Sequence, residues 1–441
     1  MRKETESLDK GLSSKRIFLK YIIPTVLAFA LSGVYAIVDG YFIGNSVGDL
    51  GLAAINIAWP VEALFIALGT GIGMGGAVMY AISRAQGKRS EASEYSGLTV
   101  FLLLLSAAAS IAVLLPLSEP VIGFLGARGN LIDIGMPYMT VIIIGCAAQI
   151  FGTGLVPLVR NNGGASFAMI IMITGFGINI ALDWVFIWNM GMGLAGAALA
   201  TVIGQTSTAI GGFAFLIRKK VRLFSVSLRN TRAVRILQIG LSAFGLTLCP
   251  NISIILMNRF LVSYSTVSAV AAYAVISYLA AIAYLLLQGV GDGAQPLFSD
   301  CYGRNAVRDL KKYRFMAYFS ALVIAAACVI VFWLTRDGLG PMFGASAEVS
   351  DKVASFMPLI SIGFIFMALS RVIAAYLYAT KDALRSSVIV YSEVIFLFIF
   401  LVATAPAYGE TAIWICTPAS QAASLILAVI FMLTQKKKKT T

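Results

Sequence analysis

The sequence has no histidine, and charged residues fill only 12% of its 441 positions. Without imidazole there is no His-ligated metal centre and no histidine proton relay. Cysteine is sparse: Cys146, Cys249, Cys301, Cys328 and Cys416 stand apart with no CxxC spacing. Such scattered thiols suit neither a disulfide framework nor a metal cluster, and they read as small apolar filler. Acids are few, 20 against 33 lysines and arginines, for a formal net charge of +13. No nucleophile–base constellation or metal motif stands out, so a membrane-embedded enzyme is not expected.

Apolar residues are what is abundant, at 59% of the chain, with a mean hydropathy of +0.89. Runs of about 20 apolar residues, long enough to cross a bilayer, recur along the whole length. Twelve spans are read, at 17–44, 51–83, 95–116, 132–158, 166–189, 194–217, 236–262, 268–298, 315–335, 351–379, 386–405 and 410–434. The first residues are charged and polar, and the run behind them is too long for a signal-peptide core, so no cleavable leader is expected.

The charges follow that topology. With a cytoplasmic N-terminus, the inner side receives Arg2, Lys3, Lys10, Lys15, Arg16, Lys20, Arg84, Lys88, Arg89, the run Arg218 to Arg235, Arg304 to Arg314, Lys381, Arg385 and the tail Lys436 to Lys439. The outer side keeps Arg128, Arg336 and Lys352. Positive loops stay inside, so both termini are expected in the cytoplasm. The lipid bilayer then explains the basic balance, and no nucleic-acid partner is expected.

The second half echoes the first. Gly73, Gly75, Ser83 and Gly87 recur 216 residues later as Gly289, Gly291, Ser299 and Gly303. Gly126-Ala127, Asp133 and Ile144-Gly145 recur 218 later as Gly344-Ala345, Asp351 and Ile362-Gly363. Six spans per half, an even number, imply parallel repeats related by an axis along the membrane normal, an architecture of alternating-access transporters. The domains are therefore an N-lobe at 1–217, a basic cytoplasmic linker at 218–235, a C-lobe at 236–434 and a basic tail at 435–441.

The N-lobe carries acids where hydrocarbon belongs. Asp39 closes the first span in the stretch VDGYFIG, with Tyr35 one turn below on the same face and Pro24 deeper in the same helix. The fifth span sets Asn179 and Asp183 four residues apart on one face, and the sixth sets Thr201 and Gln205 likewise. Counted from the cytoplasmic ends, Asp39 is about 19 residues up its helix and Asp183 about 18 up its own, so both reach nearly one height. Intramembrane acids are costly unless they serve a function. Two carboxylates, an amide and a hydroxyl at one depth suit a hard monovalent cation, or a proton shared by the two acids. Tyr35, Tyr138 and Gln149, together with Gln205, Met257, Gln288 and Asp292, are the expected substrate-cavity residues, because aromatic rings and adaptable methionines suit flat cations.

Pro24, VDGYFIG, NIALD and GAALAT resemble the multidrug and toxic compound extrusion (MATE) transporters, over essentially the whole chain and closest to the bacterial multidrug-exporter branch. The resemblance implies an all-α membrane protein of twelve helices, in two six-helix lobes related by pseudo-two-fold symmetry and arranged as a V. It implies export of lipophilic organic cations in exchange for Na⁺ or H⁺, with no other cofactor, by a monomer in the bacterial inner membrane. It places the coupling cation on Asp39, Asn179, Asp183 and Thr201, and a bend of the first helix at Pro24. The C-lobe departs from one branch of the family, since the seventh and tenth spans offer Asn258, Arg259 and Arg371 in place of acids. Asp292 is expected to pair with Arg259 or Arg371. Glu62 follows Trp59-Pro60, close to the outer end and so in an interfacial position, and Glu393 has no evident partner; each reads equally as lining a cavity or capping a structural bond. The runner-up function is a flippase of lipid-linked saccharides, in which Arg259 and Arg371 would hold a pyrophosphate.

Overall fold

A computed structural model describes residues 13–224 and 230–434, and almost all of them are helical. The helices are α1 (Ser14–Val47), α2 (Asp49–Ala85), α3 (Arg89–Leu114), α4 (Ser118–Phe124), α5 (Asn130–Ile144), α6 (Cys146–Asn161), α7 (Ala165–Asp183), α8 (Gly193–Arg218), α9 (Asn230–Tyr264), α10 (Val267–Gly303), α11 (Val307–Met342), α12 (Ala347–Ala379) and α13 (Ala383–Leu433). Among the described residues, ten helices are each long and apolar enough to cross a membrane, and the pair α5–α6, bent by 53°, forms an eleventh span. The 51-residue α13 holds a twelfth, because Gly409 at φ 64° breaks the helical backbone near its middle. The chain is a multi-pass membrane protein.

Single residues set several of these boundaries. Ser13 caps α1, its Oγ accepting the Arg16 backbone N–H at 3.4 Å. Only Gly48, at φ 75°, separates α1 from α2, a backbone turn that a side chain would strain. One assigned helix continues through Pro24, where Thr25 Oγ1 donates to the Tyr21 carbonyl at 2.8 Å. The fourth span, read from the sequence as continuous, is broken at Gly145, between α5 and α6. A Cβ there would stand 2.8 Å from Cγ1 of Val202, so α8 occupies the space a side chain would need.

The chain forms two compact units. One runs to Leu248 and takes in Ser299–Val307; the other holds Cys249–Phe298 and the residues from Arg308 onward. In the first, α2 packs on α6 and α3, α7 on α1 and α8, and α6 on α8. The α2–α6 and α7–α8 contacts run through glycines, since close backbone approach is what holds helices together in lipid. A Cβ on Gly204 of α8 would lie 2.7 Å from the Gly175 carbonyl oxygen of α7. In the second unit α12 packs along α13, and Trp414 stacks on Phe356 with ring centroids 4.6 Å apart.

Candidate functional site

The α7–α8 approach builds the site. With Gly175 and Gly204 in near backbone contact, Asn179 on α7 meets Thr201 on α8, and Asn179 Nδ2 donates to Thr201 Oγ1 at 3.2 Å. Four residues on, Asp183 ends α7 fully buried, at 0% exposure. The backbone then widens into a π-helical turn, Trp184–Asn189, with Met190 N–H donating to the Val185 carbonyl at 2.9 Å. Such single-turn π segments are frequent at functional sites.

Aromatic contacts above and below Asp39 hold α1 against this region. Tyr35 stacks on Phe176 of α7, with centroids 5.0 Å apart and planes 7° from parallel. Phe42 and Tyr41 meet Trp188 of the π turn edge-on, at 4.9 and 6.4 Å. Asp39 lies between these clamps, and its carboxyl stands within hydrogen-bonding reach of the Asp183 carboxyl. The Tyr35 hydroxyl lies within hydrogen-bonding reach of that of Thr201. Asp39 Oδ1, Asn179 Oδ1 and both Asp183 carboxylate oxygens are buried and accept no hydrogen bond among the described residues. Nor does any lysine or arginine among those residues pair with Asp39, Glu62 or Asp183. Every orphaned atom here is an acceptor oxygen, a donor set that fits a hard cation or a shared proton. About two turns beyond Asp39 and one turn beyond Asp183, a cleft of 530 Å³ opens between Ser46, Val47, Ile187, Trp188, Gly191 and Gly193.

Glu62 belongs beside this group and is not interfacial. It lies about 20 Å along α2 from its start, is 5% exposed, and its Oε2 accepts the Tyr138 hydroxyl at 2.6 Å. The sequence marked it as an acid in an apolar helix, but its partner on α5 is 76 residues away. Gln149 is buried on α6, its Oε1 without a donor. Gln205 is half-buried on α8 against Gly152.

The MatE family model matches residues 24–185 and again 242–404. The chain belongs to the MatE family. The two matches begin 218 residues apart and end 219 apart, close to the internal shift of 216 to 218 read from the sequence. The chain is 25% identical over 408 residues to the multidrug export protein MepA of Staphylococcus saprophyticus, covering 88% of this chain and 86% of that one. It superposes on a MOP superfamily transporter from Pyrococcus furiosus, described by a reverse polarity of its binding pocket, with a TM-score of 0.89, 20% identity and coverage of 97% and 98%. An outward-facing multidrug resistance MATE family transporter gives 0.87 at 21% identity, with the same coverage. The fold is the two-lobe, twelve-helix arrangement of these transporters, and MatE members are transporters, not enzymes.

The repeat explains why the C-lobe is chemically different. A shift of 218 carries Asp39 onto Met257, and shifts of 218 and 219 carry Asp183 onto Leu401 and Val402. Both acids thus have apolar counterparts, and Met257 is buried with its Sδ accepting Thr417 Oγ1 at 3.5 Å. The charged group of this lobe lies elsewhere. Arg371 is buried, its guanidinium 3.7 Å from the Tyr284 ring centre. Its Nη1 donates to Gln288 Oε1 at 2.9 Å, and Gln288 Nε2 donates to Asp292 Oδ1 at 3.0 Å. The expected Asp292–arginine pairing is therefore relayed by Gln288 to Arg371, while Arg259 is exposed on α9. The sequence left Gln288 as a cavity residue because its bridging role depends on α12 packing beside α10.

Proposed function

We propose that this MatE protein is a multidrug exporter that moves lipophilic organic cations outward by antiport with Na⁺ or H⁺, through alternating access. It acts as a monomer in the plasma membrane, with both termini in the cytoplasm. The observation that carries the reading is the juxtaposition of the Asp39 and Asp183 carboxyls, with no lysine or arginine counter-ion among the described residues and with Asn179 and Thr201 beside them. Two adjacent buried carboxylates repel, so the pair favours taking up a proton or a monovalent cation between them. Asp39 rides on α1, which is clamped to α7 by aromatic contacts. Charging or neutralising the pair therefore acts directly on how α1 seats against α7, with Pro24 as the weak point of the helix.

The multidrug export named for the MepA relatives supports the substrate class. For the flippase alternative, Arg259 and Arg371 would have to converge on a pyrophosphate; Arg259 is exposed, and Arg371 is bonded to Gln288 and stacked on Tyr284. The test is ethidium transport by purified protein in liposomes, with the Na⁺ and pH gradients imposed separately. One gradient alone should drive export. Equal transport with neither gradient would overturn the reading.

A further inference from the structure

Glu62 is a third buried acid near the Asp39–Asp183 pair. The described residues contain no group of three or more acids that could converge on one ion, so Glu62 stands apart from Asp39 and Asp183 although it lies within their electrostatic reach. The two settings also differ. Asp39 Oδ1 and both Asp183 oxygens lack a donor among the described residues, whereas Glu62 has one oxygen pinned by the Tyr138 hydroxyl at 2.6 Å, a short charge-assisted bond that holds a carboxylate in one orientation. Its second oxygen, Oε1, accepts no hydrogen bond among the described residues.

The groups around Glu62 suit an organic ion. Tyr35, close enough to feel the Glu62 charge, stacks on Phe176, and both rings are only half-buried, leaving aromatic surface uncovered. Gln149 adds a second acceptor. With Gly69 of α2 against the Ile150 carbonyl of α6, this register puts Gln149 about 9 Å further along than Glu62, and its buried Oε1 lacks a donor. A carboxylate, a π surface and an unmatched amide oxygen ask for a flat ligand that carries positive charge and N–H donors.

We propose that Glu62, held by Tyr138 beside the Tyr35–Phe176 stack, is the anchor for the positive charge of a flat aromatic organic cation, at a subsite separate from the Asp39–Asp183 pair. This rests on the reading of Asp39 and Asp183 as the coupling group. Substrate and coupling ion then occupy neighbouring negative sites in one lobe, and each weakens binding of the other through the shared field.

The test measures ethidium binding to the full-length protein in lipid nanodiscs by fluorescence polarisation, alongside ethidium transport in liposomes. Glu62→Gln keeps an acceptor for Tyr138 and should weaken ethidium binding about tenfold, the loss of one ionic contact. Glu62→Asp should recover part of that loss. Tyr138→Phe, which leaves the carboxylate in place but unpinned, should weaken binding about threefold and stands in if the glutamine variant does not fold. Wild-type affinity in both Glu62→Gln and Tyr138→Phe would overturn the anchor and leave the coupling reading standing. Unchanged binding with a lost response to the pH or Na⁺ gradient would make Glu62 a third coupling carboxyl, which also overturns it. If the wild-type protein neither binds nor moves ethidium, both readings fall.

Discussion

Asn179 turns its amide nitrogen to Thr201, donating to Oγ1 at 3.2 Å, and this leaves its oxygen without a donor in the buried space next to Asp183. Turned the other way, the amide would set an N–H against the carboxylates and compete with a cation. The Thr201 hydroxyl therefore selects the face of Asn179 that an ion would meet. Thr201→Val, which removes the acceptor, should lower affinity for the coupling cation about tenfold, as expected for one buried hydrogen bond. Thr201→Ser should stay near wild type. The half-saturating Na⁺ concentration or pH for ethidium transport measures this.

That bond in turn requires α7 and α8 to lie in near backbone contact. Gly204→Ala would place a methyl 2.7 Å from the Gly175 carbonyl and 3.1 Å from Asn179 Cβ. Backbone cannot yield as a flexible side chain can, so the helices must part, at a cost of about 1–3 kcal/mol. The expected result is a lower thermal unfolding temperature together with weaker ion coupling. Gly177→Ala, with nothing within 4 Å of the added atom, is the control and should change neither.

The C-lobe relay predicts a different pattern. Arg371→Met removes the cation that Gln288 links to Asp292, leaving buried negative charge poorly compensated, at about 3–5 kcal/mol. The double variant Arg371→Met/Asp292→Asn should regain much of that stability. A double-mutant cycle of thermal unfolding tests this, and additive losses would show that the two residues act independently.

At one end of the second unit, Glu410 follows the break at Gly409 and gathers three elements. Its carboxylate accepts Lys352 Nζ at 2.8 Å, Ser265 Oγ at 2.7 Å and the Trp414 indole N–H at 3.3 Å. Both partners of the ion pair are mostly shielded, with side chains 22% and 20% exposed. Glu410→Ala should cost about 1–2 kcal/mol, more than an isolated surface pair would. Hydrogen exchange should rise first around the Gly409 break.

Much of this was legible in the sequence, and what was not has physical reasons. The spans, the repeat and the matched heights of Asp39 and Asp183 follow from hydropathy and from the fixed rise of a helix, which are local properties. So does the shared face of Asn179 and Asp183. The break at Gly145 was not legible because Val202, which packs there, comes from α8, and the π turn after Asp183 was not because it is a shift in hydrogen-bond register that composition does not mark. Glu62 was visible as an expensive acid, yet its Tyr138 partner lies on another helix. Gln288 carried no mark as a bridge until α12 brought Arg371 beside it.

The central claim is that the Asp39–Asp183 pair carries the coupling ion, and one assay addresses it directly. Ethidium transport is measured in liposomes loaded with wild-type, Asp39→Asn or Asp183→Asn protein, each under a Na⁺ gradient, a pH gradient, and neither. Either variant should lose gradient-driven transport while still binding ethidium. Gradient-driven export at the wild-type rate in both variants would contradict it.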